Sequence, residues 1–178
     1  MDDLPKIHCT TITVCTNKWT GQVYKECKKL KFYTKEEHPQ NEKTITTKWP
    51  GKRTDELGQC HPLLKYFFTK YYFLNNLITA EDKVSFYIHA RFAGDDKEEW
   101  IHKDLANKSA SLIYLSNTNL ESGTRIYSEN EEKDEMINDF KFVQNRLVMY
   151  SGTYPHVAYG SHGTTIDDCR LTLNVFIK

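Results

Sequence analysis

The sequence predicts a mainly β domain with supporting helices, of the sandwich, jelly-roll or barrel kind. Three observations carry that expectation. Val84, Phe86, Ile88, Ala90 and Phe92 alternate with Ser85, Tyr87, His89 and Arg91, the period of two of a half-buried strand. Arg170 to Ile177 alternates again, with Leu171, Leu173, Val175 and Ile177 on one face. Between them lie short apolar runs at Ser109–Ser116, Gly123–Ser128 and Arg146–Tyr150, with turn chemistry such as Asn117-Thr118-Asn119 between runs.

The part before this β-rich half is mixed. Ile7 to Val14 is dense in β-branched residues and predicts a strand. Residues 34–48 are polar, with Pro39 and Asn41, and predict a loop. Trp49-Pro50-Gly51-Lys52-Arg53 predicts a turn through its Pro-Gly pair. Pro62 suits a first helical position, and Leu63, Phe67, Tyr71, Leu74 and Ile78 follow at helical steps, predicting a helix over 62–78. Its interleaved Lys65 and Lys70 could serve a nucleic-acid platform, but an amphipathic core helix accounts for the pattern better. Glu129 to Asp139 predicts an acidic loop, either a substrate lid or a surface loop without a role.

Composition bounds the function. The 178 residues include 39% apolar residues, 11 Tyr, 9 Phe and 3 Trp, enough to bury a core and exclude wholesale disorder. That length suits one domain over 1–178, with a supporting part to about residue 82 and a core from about residue 83. Lys plus Arg and Asp plus Glu both number 24, so a strongly basic nucleic-acid binder is not expected. The zero net charge hides an asymmetry of +5 over residues 1–80, −7 over 81–140 and +2 over 141–178. No window of membrane-spanning length is apolar, and the first residues are acidic without an apolar run, so neither a membrane span nor a secretion signal is expected. The 5 cysteines are odd in number and match no zinc spacing; with no secretion signal expected, reduced thiols in a cytoplasm, or a host cytoplasm for a viral chain, account for them most simply.

Chemistry concentrates at four positions. His102 and Asp104 stand two residues apart, so an extended backbone points both to one side. His156 follows the apolar run Leu147 to Tyr150. Two imidazoles and one carboxylate on one side of a metal leave other positions open, the arrangement of non-haem Fe(II) oxygenases. Arg170 begins the last strand, with Thr172 and Asn174 on its face. A guanidinium fork beside a hydroxyl suits a small carboxylic acid, which suggests a dicarboxylic or keto-acid co-substrate.

These residues carry a resemblance. Trp100 to Asp104, Ile113-Tyr114-Leu115-Ser116, Ser122-Gly123-Thr124, Asn145 to Tyr150, Pro155-His156 and Arg170-Leu171-Thr172 follow one another in the order and spacing of a known family. Over residues 84–178 the chain resembles the Fe(II)- and 2-oxoglutarate-dependent dioxygenases of the prolyl-hydroxylase-like branch. Trp49 to Thr54 is similar to a segment of small phage or bacterial members. The resemblance implies a double-stranded β-helix, a cupin-like jelly roll, with the 62–78 helix packed outside. It implies that His102, Asp104 and His156 hold Fe(II), and that Arg170, with Thr172 and the Tyr114 hydroxyl, binds 2-oxoglutarate. O₂ would be the co-substrate, with ascorbate as a supporting reductant. The implied reaction hydroxylates an amino-acid side chain, prolyl in the first instance, in a protein, peptide or free amino acid, as 2-oxoglutarate becomes succinate and CO₂. Tyr87, His89 and Arg91 share a strand face that could line the barrel mouth and bind substrate.

The pattern departs from the family at three places. His156 to Arg170 is a longer step than usual, so His162 is a rival third ligand; the position of His156 relative to Asn145 favours His156. Ser116 and Ser122 replace an expected Asn and Gly. Two other functions stay open: an oxygenase acting on nucleic-acid bases, and an inactive β-helix binding module.

Overall fold

Where β-branched and aromatic residues alternate with polar ones, strands gain two unlike faces and must cover the apolar one. The computed structural model describes residues 7–11, 23–39, 49–57, 61, 77–96, 101–129 and 135–178. Among them nine strands form: β1 (Ile7–Thr11), β2 (Lys52–Arg53), β3 (Val84–Arg91), β4 (Ser109–Tyr114), β5 (Asn119–Tyr127), β6 (Met136–Phe142), β7 (Arg146–Ser151), β8 (His156–Tyr159) and β9 (Arg170–Ile177). A six-stranded sheet runs β1-β7-β4-β9-β3-β2 and a three-stranded sheet runs β6-β5-β8. All pairs are antiparallel. From β4 onward the chain passes between the sheets at every connection except the β5–β6 hairpin, which makes the fold a jelly roll.

Two apolar layers explain the run-like texture of the central strands. Leu171, Leu173, Val175, Ile113, Leu147 and Met149 face outward from the large sheet and pack on Val23, Cys27, Leu57, Leu77 and Ile78. Leu112, Tyr114, Val148 and Tyr150 face inward and pack with Ile126 and Phe142 of the small sheet. Every residue of β4 is therefore buried, whereas β3 alternates because its inward residues line an open cavity.

The structure changes several expectations. Residues 136–139, expected in the acidic loop, belong to β6 (Met136–Phe142); its Asp139 and Lys141 are tolerated because β6 is an edge strand. β5 starts at Asn119, before the expected Gly123, and passes an irregularity between Asn119 and Gly123. Lys52–Arg53, expected as a turn, pairs with Ala90 and His89 of β3. Gly51 makes that approach possible: its φ is +79°, and a Cβ there would sit 2.3 Å from the Ala90 carbonyl oxygen. The expected 62–78 helix lies outside the described residues except for Leu77 and Ile78, and residues 12–14 and 40–48 lie outside them too. The described residues contain one short helical turn, at 23–27. No helix among them is long and apolar enough to cross a membrane.

Candidate metal centre and its cavity

An isolated antiparallel bridge builds the candidate metal centre. The His102 N–H donates to the His156 carbonyl at 3.1 Å, and the His156 N–H returns to the His102 carbonyl at 2.9 Å. The bridge sets the two imidazoles side by side, centroids 4.3 Å apart. Two residues on, the Asp104 N–H donates to the Gly152 carbonyl at 2.9 Å, which holds Asp104 against the end of β7. Asp104 Oδ2 lies 3.5 Å from His156 Nε2 and Oδ1 lies 3.9 Å from His102 Nε2. One donor atom from each residue lies within 4.8 Å of the other two, a spread that one cation can span.

Local chemistry presents these atoms as ligands. His156 is 5% exposed, and its Nδ1–H donates to the Tyr154 carbonyl at 3.0 Å, which leaves the Nε2 lone pair toward Asp104. Burial, with His102 beside it, pushes the His156 imidazolium down to about 3, so the ring is neutral near pH 7. Burial lifts the Asp104 carboxyl above its ordinary value, and His102 opposes that lift. A carboxylate removed from water without a cation beside it is the environment a metal relieves. Tyr150 packs its ring 4.7 Å from His156 and shields that side from water.

The same cavity, about 550 Å³, holds Arg170, Thr172, Thr124, Tyr87, His89 and Arg91 on its walls. Arg170 is 2% exposed and lies between the Tyr114 and Phe142 rings, 5.7 and 5.4 Å from their centroids. Its Nη2 donates to the Gly123 carbonyl at 3.1 Å and the Thr124 hydroxyl at 3.4 Å, but its Nε–H has no partner. No carboxylate pairs with it among the described residues. A guanidinium buried with only neutral partners is costly unless an anion joins it, so the residues present fit a dicarboxylate.

Of the other expected site residues, Thr172, Tyr87, His89 and Arg91 line the cavity, and Tyr114 stands behind its wall. The Tyr114 hydroxyl lies 3.0 Å from both the Phe140 carbonyl and the Thr124 hydroxyl, and Tyr114 is wholly buried behind the cavity wall. The Tyr114 hydroxyl is the donor toward both oxygens, which share its one proton. Tyr114 thus supports Thr124 and does not itself face the cavity. Arg91 is ion-paired with Asp96 and donates to the Ala158 carbonyl at 3.0 Å, so it ties β3 to the segment around β8. His89 lies 2.7 Å from the Pro50 carbonyl, and Tyr87 donates to Glu56 at 3.1 Å. Thr172 reaches the His89 carbonyl at 3.5 Å. The rival His162 faces Phe142 edge-on, bonds the Gly160 carbonyl and lines a separate cleft with Asp167 and Asp168. Thr124, Tyr150, Trp49 and Arg53 also line the main cavity, and no role for them follows from the sequence pattern. Period-two counting along β5 and β7 could have found the first two.

Fold and site together define a jelly-roll protein with a two-histidine, one-carboxylate cluster facing a basic cavity. No protein-family model matches the chain, and no curated protein matches it in sequence. Solved structures do match its fold. One is a prolyl hydroxylase from Trichoplax adhaerens in complex with a hypoxia inducible factor peptide fragment, with a TM-score of 0.66 at 9% identity over 97% of this chain and 83% of that one. Another is a Pseudomonas putida prolyl-4-hydroxylase, at 0.66 and 11% over 97% and 92%. A third is a 2OG-Fe(II) oxygenase family oxidoreductase from Burkholderia pseudomallei, at 0.62 and 9% over 97% and 84%. The chain has the fold that these oxygenases share.

Proposed function

We propose that this chain is an Fe(II)- and 2-oxoglutarate-dependent oxygenase that hydroxylates an amino-acid side chain, prolyl in the first instance, in a protein, peptide or free amino acid. One observation carries the reading: a His102–Asp104–His156 donor set and the uncompensated Arg170 guanidinium open into the same cavity. A structural metal would not need the buried cation, and a plain anion receptor would not need the three ligands. Iron with 2-oxoglutarate supplies O₂ activation and the oxidative decarboxylation that yields succinate and CO₂.

The chain's own residues bind, orient and exclude water. His102, Asp104 and His156 hold the metal through three donors and leave positions for co-substrate and O₂. Arg170 receives the distal carboxylate, with Thr172 on the same face and Thr124 fixed behind it by Tyr114. Tyr150, Val157 and Leu112 keep water from the metal side. The prolyl reading is supported by the two prolyl hydroxylases among the similar folds, one of them holding a peptide. A cytoplasmic place is supported by Cys27 and Cys169, which are buried as free thiols.

The test is succinate formation by purified protein given Fe(II), 2-oxoglutarate and O₂. Wild type should form succinate above background, and His102→Ala and Arg170→Met should not. Equal yields from all three would refute the assignment.

A further inference from the structure

The cavity has a second cationic spot that metal and co-substrate binding leave unused. It lies where β2 pairs with β3. The Arg53 guanidinium stacks 3.5 Å from the Trp49 ring centroid and 4.7 Å from that of Tyr87, so two rings fix its orientation. All three residues line the cavity. Arg53 Nε–H and Trp49 Nε1–H are buried and have no acceptor. The stacking places these two donors at one spot on the wall.

Among the described residues no carboxylate makes an ion pair with Arg53, although Asp55 attracts it from further away. Glu56 accepts the Tyr87 hydroxyl, and an Asp55 oxygen accepts the Glu56 N–H at 2.8 Å. Arg91, by contrast, has Asp96. Burial accordingly holds the Arg53 guanidinium below its ordinary pKa, with Tyr87 and Asp55 only partly offsetting that. Across the β3–β9 ladder Asn174 stands opposite Tyr87, and its amide oxygen is buried without a donor. The wall thus offers two N–H donors with a positive charge, and an acceptor two strands away on β9, beside Tyr87.

We propose that Arg53 and Trp49 receive the α-carboxylate of the prime substrate and Asn174 its α-ammonium, so that the substrate is a free amino acid and not a residue within a peptide. A peptide carbonyl is neutral and would leave the Arg53 charge uncompensated. The inference rests on the oxygenase reading above and narrows its substrate class.

The test is equilibrium binding by calorimetry to protein loaded with Mn(II) and 2-oxoglutarate without O₂. Each proteinogenic L-amino acid is titrated, then the carboxamide of any that binds. At least one acid should bind, with its carboxamide weaker by about 30-fold. Arg53→Met should weaken the acid by a similar factor and leave 2-oxoglutarate affinity unchanged. Trp49→Phe keeps the stacking ring, removes one donor and should give a smaller loss, which covers a misfolded Arg53→Met. The proposal is overturned if acid and carboxamide bind alike, if both variants bind the acid like wild type, or if no amino acid binds protein that does bind 2-oxoglutarate. Failure of 2-oxoglutarate itself to bind would overturn the oxygenase reading as well.

Discussion

Single side chains in the cavity are held in unusual states because each is buried beside a named neighbour. His89 is the clearest case outside the metal cluster. Burial and the Arg91 guanidinium push its imidazolium from 6.5 down to about 3. The unfolded chain therefore binds a proton that the folded chain refuses between those two values. Stability contributed by the neutral ring is present above the unfolded pKa and falls as pH drops toward the folded one. Denaturant unfolding of wild type should lose free energy more steeply than His89→Gln between pH 6.5 and about 4; parallel slopes would show that His89 ionises freely in the fold. Arg170→Met should weaken 2-oxoglutarate binding by about 100-fold while leaving Mn(II) affinity within error, since the role proposed for Arg170 is to receive a carboxylate and not to ligate the metal. The gathering of His102, Asp104, His156 and Arg170 at one cavity was legible in the sequence, because a His-x-Asp pair is local and the order and spacing of the family resemblance carry the other two. Arg53 and Trp49 were not, because their role depends on β2 finding β3 more than thirty residues away.

At the scale of elements, strand ends bring the chemistry together. His156 opens β8, Arg170 opens β9, and Asp104 is pinned to the end of β7 through Gly152. Gly152 is the tight point: an added Cβ would meet the Asn107 and Asp104 carbonyl oxygens at 2.2 and 2.6 Å. Gly152→Ala should push the 104–107 segment away, costing about 1–3 kcal/mol of stability and weakening Mn(II) binding. Unchanged metal affinity would mean that Asp104 is held by other contacts. Strands with strict alternation or two buried faces, such as β3, β4 and β9, could be read from the sequence. β6 could not, because an edge strand admits charges that read as a loop, and β8 is only four residues long.

In the whole molecule, the outer apolar layer fixes the large sheet and the cavity opens between the sheets. Leu173 is fully buried in that layer, so Leu173→Ala should cost about 2–5 kcal/mol while leaving the ligand geometry intact. Mn(II) with 2-oxoglutarate should then restore part of the lost melting temperature by mass action; no shift would mean the folded state binds neither. In the function proposed here, three ligands and one arginine act on a shared pair of small molecules. The most direct test is anaerobic titration of the metal-free protein with Fe(II) and 2-oxoglutarate, followed by visible absorption for the charge-transfer band of a chelated keto acid. Wild type should develop the band, and His102→Ala and Arg170→Met should not. A folded wild type that stays colourless would contradict the account.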